Sequence, residues 1–189
     1  KANTVVVGGR YVDEQALPGC ELRWAFAQNR EVKNLKERLE NPYAHFQTNC
    51  FLADREVFNK VRFEEDLRSY GYEDSLFGFD LKNAGISVLH IENPQFHKAD
   101  DRNARFLAKS EEAMESLYWI YSKRPHLRAE FKLIRILTQL QKLRMRRLCF
   151  WALSLMRSGL IENLSSNGPS LWRFDLYRLH RLLAIDLGQ

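Results

Sequence analysis

Hydrophobic positions recur along this chain with two different periods. A short β-branched run, Thr4-Val5-Val6-Val7, closed by Gly8-Gly9, predicts a buried strand. A second strand is predicted over Ile86–Ile91. There Ile86, Val88 and His90 face one way and Ser87, Leu89 and Ile91 the other. Between them Pro18-Gly19 breaks the chain. Glu21–Glu40 then predicts a charged helix with Leu22, Ala25, Phe26, Val32, Leu35 and Leu39 as its apolar positions and Asn41-Pro42 as its stop. Phe46–Leu52 is an aromatic-rich strand or loop, and Asp54–Asn59 a short helix. Tyr70-Gly71-Tyr72 predicts a turn, because glycine tolerates a positive φ. A helix follows, with Leu76, Phe77, Leu81 and Ala84 on one face and Asn83-Ala84-Gly85 as its end. Asn93-Pro94 is expected to turn the chain after the last strand.

From Asp101 onward the period is helical throughout. Phe106, Leu107, Met114, Leu117, Tyr118 and Tyr121 form one stripe, which Lys123-Arg124-Pro125 ends. Leu127–Arg157 is a long apolar and basic segment, in which Leu133, Ile136, Leu137, Leu140, Leu143, Leu148, Trp151 and Leu155 alternate with arginines. Ser165–Pro169 reads as a loop, with Pro169 near the start of a last helix, Ser170–Leu187. The expected class is therefore α/β over residues 1–104, followed by a basic amphipathic helical region over 105–189.

Charge divides at the same place. Residues 1–104 carry 14 Lys/Arg and 17 Asp/Glu, and residues 105–189 carry 15 and 7, within a chain of net charge +5. A hydrophobic fraction of 45% excludes a disordered chain. The three cysteines, Cys20, Cys50 and Cys149, are widely separated and show no zinc spacing, which fits free thiols in a reducing compartment. No apolar run is long enough to span a bilayer. Basic helices with Trp and Tyr fit two roles, either lying on an anionic membrane or packing on the first half with solvated arginines. Nucleic acid is a weaker expectation, since no reading motif accompanies the arginines.

Glu73 and Asp74 fall in the first turn of the predicted Glu73 helix. Free N–H groups and the positive end of the macrodipole favour negative charge there. Such carboxylates either complement the helix terminus or, beside a cleft, accept a proton from a hydroxyl. Thr48-Asn49 is polar within apolar surroundings, so Asn49 either bonds backbone or reaches a ligand hydroxyl.

A wider string bears on the choice. Phe46-Gln47-Thr48-Asn49-Cys50-Phe51 is followed by Phe63-Glu64-Glu65-Asp66-Leu67, then by Gly71-Tyr72-Glu73-Asp74, then by Leu89–His97. In order and spacing this resembles the acceptor-side half of glycosyltransferase family 2, inverting enzymes of the GT-A fold. The resemblance covers roughly residues 1–100. It implies a partial GT-A-like sheet with flanking helices and transfer of a sugar from a nucleotide-diphosphate donor to a hydroxyl of a polysaccharide or lipid-linked glycan. It makes Asp74 the general base, with Glu73 orienting the acceptor or shaping the helix start. Asn49, Phe46, Tyr70 and Tyr72 would form the acceptor platform. His97, in preference to His90, would assist a divalent cation, Mg or Mn. No Asp-x-Asp motif or Gly-rich phosphate loop occurs, so the resemblance implies a nucleotide-binding half ahead of Lys1, little activity without it, self-association through bare strand edges, and a cytoplasmic place at the inner face of a membrane.

Overall fold

The computed structural model describes residues 4–189. Three strands form a mixed sheet in the order β2-β1-β3, with β1 Thr4–Tyr11, β2 Phe51–Ala53 and β3 Ser87–Phe96. β1 pairs antiparallel to β2 and parallel to β3. β1 does not stop at Gly8-Gly9 as expected. It runs through both glycines, because the missing side chains admit close neighbours. A Cβ on Gly8 would overlap the Asn93 carbonyl and the Cys50 sulfur, and one on Gly9 would stand 3.1 Å from the Arg38 guanidinium. Asn93-Pro94 likewise does not turn the chain. β3 bulges between the Val7↔His90 and Gly9↔Pro94 pairs and continues to Phe96. Pro94 is tolerated because β3 is an edge of the described sheet.

The alternation expected for β3 holds: Ile86, Val88 and His90 are buried, while Ser87, Leu89 and Ile91 are exposed. The buried face of the sheet meets α4, Glu73–Asn83. Val5, Val7, Phe46, Val57, Phe77, Leu81, Ile86 and Val88 form that core. Phe63 stacks on Phe77 at 4.2 Å, and Phe46 packs against both Phe51 and Phe77. Gly78 makes the close approach possible, since a Cβ there would run into the Tyr43 carbonyl oxygen. The opposite face of the sheet leaves Leu52 73%, Leu89 48% and Ile91 38% exposed.

The single helix expected over Glu21–Glu40 is two. α1 covers Glu21–Phe26 and widens into a π-turn over Ala27–Glu31. Val32 is extended, and α2, Leu35–Glu40, restarts with a capping box between Asn34 and Glu37. Leu39 consequently points to solvent. α3 is Arg55–Lys60, capped by Asp54.

The rest is helical: α5 Asn103–Lys123, α6 Lys132–Lys142, α7 Arg146–Leu164 and α8 Leu171–Leu187. The Leu127–Arg157 segment breaks at Leu143–Met145, where Arg144 takes a left-handed φ of 57°. The helices share cores with the first half. One cluster joins Leu67, Leu76 and Phe79 to Met114, Ile134, Leu137 and Leu182, and another joins Leu22 to Phe106, Leu160 and Phe174. The change in composition near residue 104 marks a change from sheet to helices, and the two parts share buried surface across it.

Candidate active site

A cleft of about 710 Å³ opens where the end of β1, α1 and its π-turn, the 44–49 loop, the start of α4, His97, α5 and α8 converge. All seven residues singled out from sequence line it: Phe46, Asn49, Tyr70, Tyr72, Glu73, Asp74 and His97.

Asp74 is half-buried. Its Oδ1 accepts from the Thr48 hydroxyl at 2.8 Å and its Oδ2 from the Thr48 backbone N–H at 3.3 Å. A carboxylate has about four acceptor positions, so both oxygens keep a lone pair for an incoming hydroxyl. Among the described residues no Lys or Arg pairs with it. The turn that presents it is strained. Gly71 has φ 94°, and Tyr72 follows with φ 72°, a left-handed conformation that costs a non-glycine residue about 1–3 kcal/mol. The Tyr72 ring is held edge-on by Phe131 at 5.5 Å, so the helical region anchors the loop that aims Asp74. Burial pushes the Tyr72 phenol above its ordinary range. Glu73 turns back, its Oε1 accepting from the Gly71 N–H at 2.9 Å, so its side chain shapes the turn.

The other candidates part company. The Phe46 ring is buried in the sheet core and has no face free for a stacked sugar, which corrects its place on the platform. Tyr70 is exposed and carries the Lys109 ammonium 5.4 Å from its ring centre. Asn49 is exposed rather than buried, and its Oδ1 accepts from Arg10 Nη2 at 3.0 Å. His90 is structural. Its Nε2 faces the Pro42 carbonyl at 2.9 Å and so carries the proton, and its Nδ1 accepts from Arg38 at 3.2 Å. Burial lowers its pKa.

His97 sits at the end of β3, its N–H bonded to the Tyr11 carbonyl. Burial, Arg10 and Arg23 all lower its pKa. Those neighbours do not suit a cation. The carboxylate near it, Glu31, already accepts from Arg10 at 2.9 Å and Arg23 at 3.0 Å through the same oxygen. Among the described residues, no group of three or more His, Cys, Asp or Glu side chains is placed to hold a metal ion. His97 with these partners does not fit the divalent-cation role.

Sequence reasoning missed the basic wall of this cleft. Arg10 is fastened at three points, by Gln47 at 2.7 Å, Glu31 and Asn49. Arg23, Arg30 and Arg178 stand beside it. Arg23 and Arg30 were legible as a seven-residue repeat near the start of the first helix. Arg178 comes from α8 and had no local signal.

No family model, curated protein or solved structure matches the chain. The fold is mixed α/β with a helical region packed on it.

Proposed function

We propose that the chain is the acceptor-side part of an inverting glycosyltransferase resembling family 2, with a partial GT-A-like sheet and Asp74 as general base. The observation that carries the reading is Asp74 itself: half-buried at the cleft, oriented by Thr48, and free of any cationic partner among the described residues. The acceptor hydroxyl gives its proton to Asp74 as its oxygen bonds to the anomeric carbon. The bond from that carbon to the diphosphate breaks on the opposite face, and the diphosphate leaves with the electron pair. Tyr70, exposed at the rim, offers an aromatic face for a sugar ring. The donor would be a nucleotide-diphosphate sugar. The Mg or Mn ion that the resemblance implies would be held outside the described residues, and no step above runs through it.

The acceptor is a glycan or lipid-linked glycan at the inner, cytoplasmic face of a membrane. What favours a membrane is α7. Leu148 and Trp151 are 66% and 64% exposed and Leu155 85%, all on one helical face, with Leu143 beside them and Lys142, Arg144 and Arg147 around them. No helix among the described residues is long and apolar enough to cross a bilayer, so contact would be peripheral. The competing reading, a non-catalytic basic helical module for nucleic acid, is less favoured, because phosphate contacts would leave the exposed apolar stripe in water. The experiment is Asp74→Asn in a chain that carries the donor-binding half. Turnover should fall about 10²–10⁴-fold with donor KM near normal, and unchanged turnover removes Asp74 from the role.

A further inference from the structure

The cleft is electrically divided. Its α4 end carries Glu73 and Asp74, while Arg10, Arg23, Arg30 and Arg178 stand along the remainder with His97. Two carboxylates face these four guanidiniums. Glu31 is shared by Arg10 and Arg23. Asp175 is shared by Arg30 at 3.2 Å, Arg178 at 3.2 Å and Lys132 at 3.1 Å. The wall therefore keeps an excess of positive charge.

Two of its donors are also unsatisfied. Arg23 is 7% exposed, and its Nη1 is buried with no hydrogen-bond partner, as is the Nε of Arg178. Buried guanidinium N–H groups left unpaired are costly. Arg23 is otherwise locked in place by Glu31 and by the Phe106 ring, 5.4 Å from its guanidinium carbon. A rigid, partly unpartnered guanidinium in a cleft lined with three more is suited to planar, multi-point recognition of a phosphoryl oxyanion.

We propose that this wall is a metal-independent binding site for a phosphate or diphosphate group, built on Arg10, Arg23, Arg30 and Arg178. It deepens the transferase reading and rests on it only for the origin of the ligand, which is either the donor's diphosphate or a phosphate on a lipid-linked acceptor. The cations around His97 then hold the anion directly, with no metal ion needed between them and it.

The test is titration calorimetry of the 189-residue chain with inorganic pyrophosphate in EDTA. Binding is expected, and Arg23→Gln should raise Kd at least about tenfold. Arg30→Gln, at an exposed side chain whose partner Asp175 keeps Lys132 and Arg178, carries the same test if Arg23→Gln lowers the Tm; it should weaken binding several-fold. Arg55→Gln, at an exposed position on α3 outside the cleft lining, should change nothing. Competition by uridine diphosphate and by geranyl diphosphate then separates the two sources, the tighter competitor naming the one used. No binding, binding that needs added Mg, or loss that is equal in Arg55→Gln overturns the proposal. Asp74→Asn should leave pyrophosphate binding intact or strengthen it, so a failed base assignment does not touch this result.

Discussion

Thr48 holds both oxygens of Asp74, one through its hydroxyl at 2.8 Å and one through its backbone N–H at 3.3 Å. The amide would survive any substitution except proline, whereas the hydroxyl depends on the side chain. Thr48→Val keeps the shape and removes one of the two bonds that set the carboxylate's angle. In an active chain it should lower kcat by about tenfold, a part of the ~10²–10⁴ that a positioned base supplies, with donor KM little changed. Thr48→Ser should restore most of the rate. A Thr48→Val enzyme as fast as the parent would show that the hydroxyl does not position the base.

Gly78 lies on the face of α4 that meets the Tyr43–Phe46 loop, and a Cβ there would overlap the Tyr43 carbonyl and stand 3.0 Å from the Phe46 Cβ. Glycine is otherwise a poor helix residue, by roughly 0.5–1 kcal/mol relative to alanine. An exposed helical glycine should gain stability on mutation to alanine. Gly78→Ala should instead lose about 1–3 kcal/mol, because backbone rather than a flexible side chain must give way. Urea melts of Gly78→Ala and of Gly159→Ala, whose Cβ would meet open space, should move in opposite directions. The same direction in both would mean that the α4–loop contact is not tight.

How much of this was legible beforehand follows from how local each signal is. The turn at Gly71, the helix from Glu73 and the two-sided pattern of Ile86–Ile91 depend on neighbours a few residues away, and each is where the pattern placed it. The break in the first helix was also local. Asn34 and Glu37 spell a capping box, but the apolar spacing of Val32, Leu35 and Leu39 masked it. The passage of β1 through Gly8-Gly9 was not readable, since it depends on Asn93, Cys50 and Arg38 arriving from elsewhere. The site divides the same way. Asp74 was visible because a helix start is a local feature. The wall of Arg10, Arg23, Arg30 and Arg178 required α8 to fold back against α1, a contact separated by some 150 positions in the chain.

Acid should unfold this protein through His90. In the fold its Nε2–H donates to Pro42 and its Nδ1 accepts from Arg38, so it is neutral, and burial holds its pKa below the ordinary value of 6.5. Protonation would set an imidazolium against a buried guanidinium. The unfolded chain takes up the proton at the ordinary value, so stability is present above pH 6.5 and is lost as pH falls through the lower folded value. His45, His97 and His180 are shifted in the same direction and act in the same window. Melting temperature should be flat at neutral to mildly alkaline pH and fall from about pH 6.5 toward pH 5. His90→Gln should make that slope shallower. An unchanged slope would assign the acid sensitivity to the other histidines.

The exposed stripe on α7 makes the sharpest claim about where the protein acts. Leu148, Trp151 and Leu155 sit at helical spacing with most of their surface in solvent; Trp151 keeps one ring contact, with Phe150 at 5.9 Å, so replacing them should move Tm by only about 1–2 °C, as is usual for surface positions. On a bilayer the same side chains would enter the interface, and fully burying a large apolar side chain contributes about 1.5–3 kcal/mol. A Trp151→Ser, Leu155→Ser double variant should therefore lower partition onto anionic vesicles by tenfold or more. Arg144→Gln with Arg147→Gln should weaken binding to phosphatidylglycerol vesicles and have no effect on neutral phosphatidylcholine, because each basic residue near an anionic surface contributes about 1 kcal/mol. Raising the salt should reduce the first binding and spare any apolar remainder. If sedimentation shows instead that the parent chain dimerises, that the double variant is monomeric, and that neither binds vesicles, the stripe is a contact between copies of this chain and the membrane assignment is wrong.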